Sequence, residues 1–323
     1  MSPERTTLES FRAKLKGDKA RFFTEHAIPI DAQFYLPRDS TAKHEKLPCI
    51  IGFLGWTCTY ELGAILLDEV DRLTRAGYSA LLLNYRGYGE SGSCSGQPKD
   101  VTPLEEVEDV RNAITYVQQR PEVDPERIGL LGVSFGGGIS AYTAAVDERV
   151  KVTVAQWGCS NGYRWLKGQW RHYEFVDLLK VIKEFEIKMV MQGKIEYRDD
   201  LEWLCWDAKE AEWEKGWKQA GTIGGNIPFT YVRGILNFNA EEVVHKISPR
   251  PIFFIHPEVE KVIPCEESIA MYEKAREPKE LWIIPKKEIG FHFDVYEGLG
   301  ADRGYWPEVV MPKTIGFFDR YLK

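Results

Sequence analysis

A serine flanked by two glycines, in Gly132-Val133-Ser134-Phe135-Gly136, constrains the fold of this chain more than any other stretch. The apolar run 128–131 precedes it, and residues 137–146, rich in glycine and alanine, follow it. The apolar run is typical of a buried strand, and the small residues predict a helix packed close to that strand. The two glycines permit a sharp turn between strand and helix. We therefore expect the hydroxyl of Ser134 to project from the apex of that turn.

Apolar runs of strand length alternate with helical periodicity on both sides of this turn. Alternation of this kind predicts a mostly parallel sheet with helices on both faces. The first run alternates with polar residues, which indicates antiparallel strands at the start of the fold, and residues 124–127 predict a turn into the serine-bearing strand. The predicted strands are 27–36, 48–54, 79–84, 128–133, 150–156, 251–255 and 281–284, and the predicted helices are 66–76, 104–119, 139–146 and 306–321.

Strand signals stop between residues 160 and 245, where apolar and aromatic residues recur at helical spacing. We interpret 160–245 as a helical cap inserted into a core formed by 27–159 and 246–323, preceded by a helical extension over 1–26. Seven of the ten tryptophans lie between Trp157 and Trp217. Most buried tryptophans serve core packing, but one or two could line a pocket under the cap. The candidates for contact with a ligand are Trp165, Trp170, Trp203 and Trp206.

Composition excludes several classes of partner. The chain has 42 basic and 49 acidic residues, a net charge of -7, and no basic block, which argues against nucleic-acid binding. Six cysteines without C-x-x-C spacing argue against a zinc site and for reduced thiols. The first residues lack the apolar segment of a secretion signal, and no apolar stretch is long enough to span a bilayer. We expect a cytoplasmic protein that needs no metal or organic cofactor.

A serine nucleophile needs a histidine as base and a carboxylate that orients the histidine. His292 follows the predicted strand 281–284, so it should emerge at the same sheet edge as Ser134. The alternative is a loop histidine with a purely structural role. Two carboxylates, Glu258 and Glu260, follow the predicted strand 251–255, and position alone leaves both open as the acid.

Four segments together resemble the α/β-hydrolase superfamily, in particular its dienelactone-hydrolase-like and prolyl-peptidase-like serine hydrolases, including polyketide-transferase-type members. Residues 51–55, IGFLG, are similar to the H-G-x-x-G oxyanion loop, and 84–91, NYRGYGES, to D-Y-R-G-x-G-x-S. Residues 256–264 are similar to the acid loop H-G-x-x-D-x-x-V-P, and 317–322 to the closing helix. The resemblance implies the α/β-hydrolase fold, a mostly parallel central sheet flanked by helices with a helical cap.

The resemblance also implies roles for single residues. Glu260 takes the position of the acid and His292 that of the base, and the backbone N–H of Phe53 joins that of Phe135 as oxyanion donor. The Phe135 donor is expected from the serine turn itself. Four positions depart from the family pattern: Ile51 for histidine, Asn84 for aspartate, Pro257 for glycine, and Glu260 for the commoner aspartate.

These residues predict a serine hydrolase or acyltransferase acting on an ester, a thioester or a related small-molecule acyl substrate. The substrate we expect is a bulky intracellular secondary metabolite. Two other functions stay open at this stage. One is a carbon–carbon bond hydrolase or non-hydrolytic cyclase on the same fold, and the other is a binding protein that has lost activity. Neither a nucleic acid nor a membrane is expected as partner. Residues 3–19 could form a homodimer contact.

Overall fold

A single sheet of eight strands organises the chain. The computed structural model describes residues 15, 17–37, 46–56, 58–60, 64–204, 225–286 and 305–323 of the 323-residue chain. Of the predicted helical extension over 1–26, residues 1–14 and 16 lie outside these ranges, and the described part is not helical, because Asp18–Phe23 forms a strand that pairs with Pro29–Tyr35. The eight strands are β1 (Asp18–Phe23), β2 (Pro29–Tyr35), β3 (Leu47–Phe53), β4 (Ser79–Leu83), β5 (Val123–Val133), β6 (Val152–Gln156), β9 (Ile252–Pro257) and β10 (Lys279–Ile284).

The sheet runs in the order β1-β2-β4-β3-β5-β6-β9-β10. Strands β1, β2 and β4 pair antiparallel, and every pair from β4 to β10 is parallel. This confirms the mostly parallel sheet and the antiparallel start predicted from the sequence. Because parallel strands share a direction, the loops after β3, β5, β9 and β10 emerge at one edge.

Helices cover both faces of the sheet. Helices α1 and α8 pack on one face through residues such as Leu66 and Phe318, while α2 and α3 pack on the other through residues such as Val110 and Ile139. The α-helices of the described residues are α1 (Ala64–Arg75), α2 (Pro103–Gln118), α3 (Phe135–Val146), α4 (Gly162–Gln169), α5 (His172–Gln192), α6 (Phe229–Asn237), α7 (Glu266–Lys274) and α8 (Met311–Leu322).

Strand β5 corrects one prediction. The expected turn at 124–127 lies inside the strand, because Val123 pairs with Leu47 while Ile128 pairs with Cys49, and the residues between them bulge out of register. The turn chemistry is nevertheless present, since the carboxylate of Asp124 accepts hydrogen bonds from the backbone of Glu126 and the side chain of Arg127. A local turn can therefore be absorbed into a strand when the neighbouring strand resumes pairing beyond it.

Helices α4, α5 and α6 lie in the segment between β6 and β9. This segment also contains two strands that the sequence did not predict, β7 (Tyr197–Asp199) and β8 (Asn226–Pro228), which pair antiparallel. Three residues per strand are too few to produce a detectable alternation of apolar and polar positions. The division of the chain into core and cap domains stays a prediction.

Candidate active site

Ser134 lies between the end of β5 and the start of α3 in a strained backbone conformation. Its φ is 60° and its ψ is -134°, a combination that non-glycine residues rarely adopt and that costs about 1–3 kcal/mol. The strain is held from both sides: the N–H of Ser134 donates to the carbonyl oxygen of Gln156 on β6 at 3.0 Å, and its carbonyl accepts from the N–H of Gly137 at 2.7 Å. The turn predicted from the sequence is present.

The two glycines of the motif are required by close backbone packing. A Cβ placed on Gly132 would lie 2.1 Å from the carbonyl oxygen of Gly136. A Cβ placed on Gly136 would lie 2.7 Å from the carbonyl oxygen of Leu54, in the loop that follows β3. A side chain at Gly136 would push the serine turn, here called the elbow (Gly132–Gly136), away from that loop, here called the β3 loop (Leu54–Tyr60). A side chain at Gly132 would distort the elbow itself.

The β3 loop packs against the start of α3, and the two residues expected to donate to an oxyanion flank this contact. Phe53 ends β3 in register with Gly132, and Phe135 begins α3. The close approach continues at Gly55, where an added Cβ would lie 2.4 Å from Cβ of Phe135. Helix α3 adds the partial positive charge of its N-terminus, which favours an anion at this position.

Side chains from the turn after β4 hold the β3 loop in place. The hydroxyl of Tyr85 donates to the carbonyl oxygen of Leu54 at 2.9 Å, and the amide oxygen of Asn84 accepts from the N–H of Tyr60 at 2.9 Å. Asn84, which replaces the aspartate of the family pattern, therefore serves the loop as a hydrogen-bond acceptor.

The same turn contains the buried guanidinium of Arg86, which binds the carboxylate of Asp109 on α2. Nε and Nη2 of Arg86 donate to Oδ1 at 2.9 and 2.7 Å. The backbone N–H of Arg86 donates to Oδ2 at 2.9 Å. Burial raises the pKa of Asp109 to about 6, and the hydrogen bonds from Arg86 oppose that rise. This pair anchors the turn to the core and lies outside the reacting groups.

The loop that follows β9, residues 258–264 and here called the acid loop, buries Glu260. One carboxylate oxygen, Oε1, accepts from the N–H of Val262 at 2.7 Å and of Ile263 at 3.2 Å. His256, fully buried on β9, fixes the same loop from below: its Nε2 contacts the carbonyl oxygen of Ile263 at 2.8 Å, and its Nδ1 contacts the hydroxyl of Ser268 at 2.7 Å. Because a carbonyl only accepts, Nε2 carries the proton and Nδ1 accepts from Ser268.

Glu258, the rival carboxylate, occupies a different environment. Its side chain is exposed, and Oε2 accepts from the backbone N–H of Lys286 at 2.8 Å. Its own N–H donates to the carbonyl oxygen of Ile284 at 2.8 Å. Both contacts tie the residue to the end of β10, on the outside of the acid loop.

Of the four candidate tryptophans, Trp165 on α4 contacts the segments around the serine. Its Nε1 donates to the carbonyl oxygen of Val262 in the acid loop at 2.6 Å. Its ring packs on Phe135 with centroids 5.8 Å apart and on Trp56 of the β3 loop with centroids 5.9 Å apart. Trp165 thus touches the acid loop, the elbow and the β3 loop together.

The other three candidates differ from it. Trp203 is fully buried within the inserted segment, where its Nε1 donates to the carbonyl oxygen of Ile227 and its ring packs on Phe185, so it stabilises that segment. Trp170 is half-buried at the end of α4. Trp206 and the expected base, His292, both lie outside the described residues.

Sequence reasoning missed several residues around this site. Trp56 follows the oxyanion-type loop directly, and its ring packs on Tyr231 of α6 with centroids 5.5 Å apart. The position of Trp56 next to that loop is a signal that could have identified it. Glu69 and Gln156, which form a buried pair beneath the elbow, carry no such signal because they are far apart in the sequence.

The described ranges contain no group of three or more histidine, cysteine, aspartate or glutamate side chains arranged to hold a metal ion. No helix in the same ranges is long and apolar enough to cross a membrane.

A family model described as serine aminopeptidase, S33, matches residues 64–292, which include the elbow, the acid loop and His292. The chain belongs to this family of α/β hydrolases. The match confirms the predicted superfamily, its fold and the class of enzyme.

Individual relatives of this α/β hydrolase agree with the assignment. The crystal structure of hypothetical protein PA2218 from Pseudomonas aeruginosa superposes with a TM-score of 0.78 at 25% identity, covering 96% of this chain and 95% of that one. The α/β hydrolase GrgF from Penicillium has a TM-score of 0.77 at 21% identity, covering 95% and 99%; it is named a polyketide transferase. The acyltransferase drtE from Aspergillus calidoustus is 24% identical over 96% of this chain and 97% of its own length.

Proposed function

We propose that this hydrolase transfers an acyl group through Ser134, with His292 as general base and Glu260 as the acid that orients it. The observation that carries the proposal is the strained Ser134 backbone at the N-terminus of α3, packed against the β3 loop. Such strain persists only where the surrounding structure enforces it, and it places the hydroxyl where a helix N-terminus favours negative charge.

The chemical steps follow from this geometry. The Ser134 hydroxyl attacks the substrate carbonyl, and His292 accepts the proton from the hydroxyl. The backbone N–H groups of Phe53 and Phe135 stabilise the oxyanion, and each such donor contributes about 2.7–4 kcal/mol to the transition state. His292 then returns the proton to the leaving group. Water, or an acceptor hydroxyl or amine, attacks the acyl-serine and regenerates the hydroxyl.

The environment of each carboxylate favours Glu260 over Glu258 as the acid. Glu260 is buried, and two backbone N–H groups stabilise the charge on Oε1, as the orienting acid of a triad requires. Glu258 is exposed and uses its carboxylate to hold the backbone of Lys286.

The substrate class is a carboxylic ester or thioester with a bulky apolar acyl group. Aromatic rings of Trp56, Trp165 and Phe135 cluster beside the serine, and aromatic surfaces of this kind suit an apolar ligand. The relatives named acyltransferase and polyketide transferase support the same class, with an acceptor other than water as an alternative to hydrolysis. We propose a bulky metabolite as the substrate.

A fluorophosphonate probe tests the nucleophile. We expect the probe to form a covalent adduct on Ser134, identified by mass spectrometry of the digested protein, and we expect Ser134→Ala to remove it. Ser140, buried in α3 with its hydroxyl donating to the carbonyl of Gly137, provides a matched control, so Ser140→Ala should still be labelled. Labelling that persists in Ser134→Ala would contradict the proposal.

A further inference from the structure

Beneath the elbow, a buried carboxyl joins β6 to the start of the last helical region. Glu69 on α1 is fully buried, and its Oε1 accepts two hydrogen bonds, from Nε2 of Gln156 at 3.0 Å and from Nε1 of Trp306 at 3.2 Å. Gln156 is the residue whose backbone carbonyl binds the N–H of Ser134. Glu69 is therefore one contact away from the backbone that holds the strained serine.

The second partner extends this link to the segment that leads into the last helix. Trp306 begins the turn Trp306–Val310 that leads into α8, downstream of His292 in the chain. Its ring packs against that of Trp157 with centroids 4.8 Å apart, and Trp157 follows Gln156 directly. Oε1 of Glu69 thus ties the end of β6 to the start of the Trp306–Val310 turn.

Glu69 and Gln156 each have one side-chain oxygen without a hydrogen-bond partner among the described residues. Oε2 of Glu69 and Oε1 of Gln156 are both buried, and neither has a hydrogen-bond partner. Two acceptors cannot satisfy each other, and leaving both unsatisfied is costly. A proton on Oε2 of Glu69 supplies the donor that both of these buried oxygens lack.

We propose that Glu69 is a positioning residue that acts in its protonated form, holding Gln156 and Trp306 so that the backbone of Ser134 keeps its reactive conformation. This inference rests on the proposed function of Ser134. Burial raises the pKa of Glu69 from 4.5 to about 7, which agrees with a neutral carboxyl over part of the physiological range.

Among the described residues, the charged groups around Glu69 do not supply a counter-ion. On its own helix, Asp68 pairs with Arg72 at 2.8 Å, and its negative charge raises the pKa of Glu69 further. From the Trp306–Val310 turn, Glu308 approaches Arg72 at 3.6 Å. The neighbouring end of β6 presents the uncharged Gln156. Ionisation of Glu69 therefore places an uncompensated charge beneath the elbow and weakens its hold on the serine backbone.

Glu69→Gln tests the proposal because glutamine imitates the protonated acid: its amide oxygen accepts from Trp306 and its amide nitrogen donates to Gln156. The measurement is the rate of fluorophosphonate labelling of Ser134, in the full chain, from about pH 6 to about pH 9. The ratio of variant to wild-type rates cancels the titration of His292. We expect a ratio near one at the acid end and a rise to about tenfold or more at the alkaline end, where a carboxyl of pKa about 7 is almost fully ionised.

A ratio that stays flat across this range would overturn the role of Glu69 and leave the nucleophile intact. Failure of the probe to label Ser134 in the wild type would instead overturn the proposed function. Glu308→Gln is the matched control, since it removes a carboxylate that is 71% exposed in the same region, and its ratio should stay flat.

Trp306→Phe provides an independent variant that keeps the carboxyl. The indole N–H stabilises the ionised form, so its removal raises the pKa of Glu69 and moves the alkaline loss of labelling to higher pH. A loss at unchanged or lower pH would contradict the proposal.

The thermal midpoint gives a second readout. A carboxyl whose pKa is raised on folding binds more protons in the folded state, so its contribution to stability is complete below about pH 4.5 and is lost as pH rises through about 7. Glu69→Gln should flatten that decline. An unchanged slope would count against the protonated pair.

Discussion

The elbow and the acid loop lie at the same edge of the sheet, but different parts of the chain hold them. Backbone holds the elbow: the N–H of Ser134 binds the carbonyl of Gln156, and Gly136 lets the β3 loop pass against it. Side chains hold the acid loop, with His256 contacting it from the sheet and Trp165 from α4. Backbone contacts leave no room for adjustment, whereas side-chain contacts can be removed one at a time. Substitutions should therefore act sharply at the elbow and gradually at the acid loop.

Gly132→Ala should displace the elbow itself. The added Cβ would lie 2.1 Å from the carbonyl oxygen of Gly136, so the elbow must move. A displacement of about 1 Å at a reacting group costs about 100-fold in rate, and we expect at least that loss in probe labelling of Ser134. Gly168→Ala on α4, where an added Cβ meets nothing within 4 Å, is the control and should label normally.

Glu260→Gln should lower the turnover of a p-nitrophenyl ester by several orders of magnitude. The imidazole of His292 would lose the negative charge that orients it and stabilises its protonated form. The corresponding loss in related triads is about 10⁴-fold. Glu258→Gln is the matched substitution in the same loop, and it should change the rate less than about twofold. The reverse ranking would assign the acid to Glu258.

His256→Ala should weaken the acid loop from below. The substitution removes the contacts with Ile263 and Ser268 and leaves a cavity beside β9, so we expect the free energy of unfolding to fall by about 2–4 kcal/mol in urea denaturation. His245→Ala, at a half-exposed position, should cost less than about 0.5 kcal/mol. Equal losses in both variants would show that His256 does not support the loop.

Trp165→Phe should have the smallest effect. It keeps an aromatic ring against Trp56 and Phe135 but loses the hydrogen bond to Val262, a loss of about 1 kcal/mol in stability and up to about tenfold in esterase rate. Trp203→Phe removes a comparable hydrogen bond, to Ile227, away from the acid loop. It should cost similar stability without changing the rate, and a rate loss in this control would remove the distinction between the two tryptophans.

The same contrast explains what the sequence could predict. The elbow was predictable because the glycines that it requires lie within two residues of Ser134 in the sequence. The order of strands and helices followed from hydrophobic periodicity for the same reason. The unpredicted β7 and β8 are too short to show a period, and the bulge in β5 depends on where β3 resumes pairing.

Contacts between distant residues gave no such signal. Trp165 reaches Val262 across 97 residues, and Gln156 reaches Glu69 across 87. Neither pair belongs to a local sequence motif, because each contact depends on how distant segments come together in the fold. The burial of Glu260 and the exposure of Glu258 likewise became distinguishable only when the loop was seen folded against β9 and β10.

The two connections between the inserted segment and the sheet run side by side. Asn161 and Asn239 form an antiparallel bridge, the N–H of Gly162 donates to the carbonyl of Phe238 at 2.9 Å, and the N–H of Ala240 donates to the carbonyl of Ser160 at 2.7 Å. Adjacent end points mean that a change in the length of the intervening chain need not separate β6 from β9. For protein engineering, the segment between these joints can therefore be varied in length while the contacts of Trp165 with the elbow and the acid loop are kept.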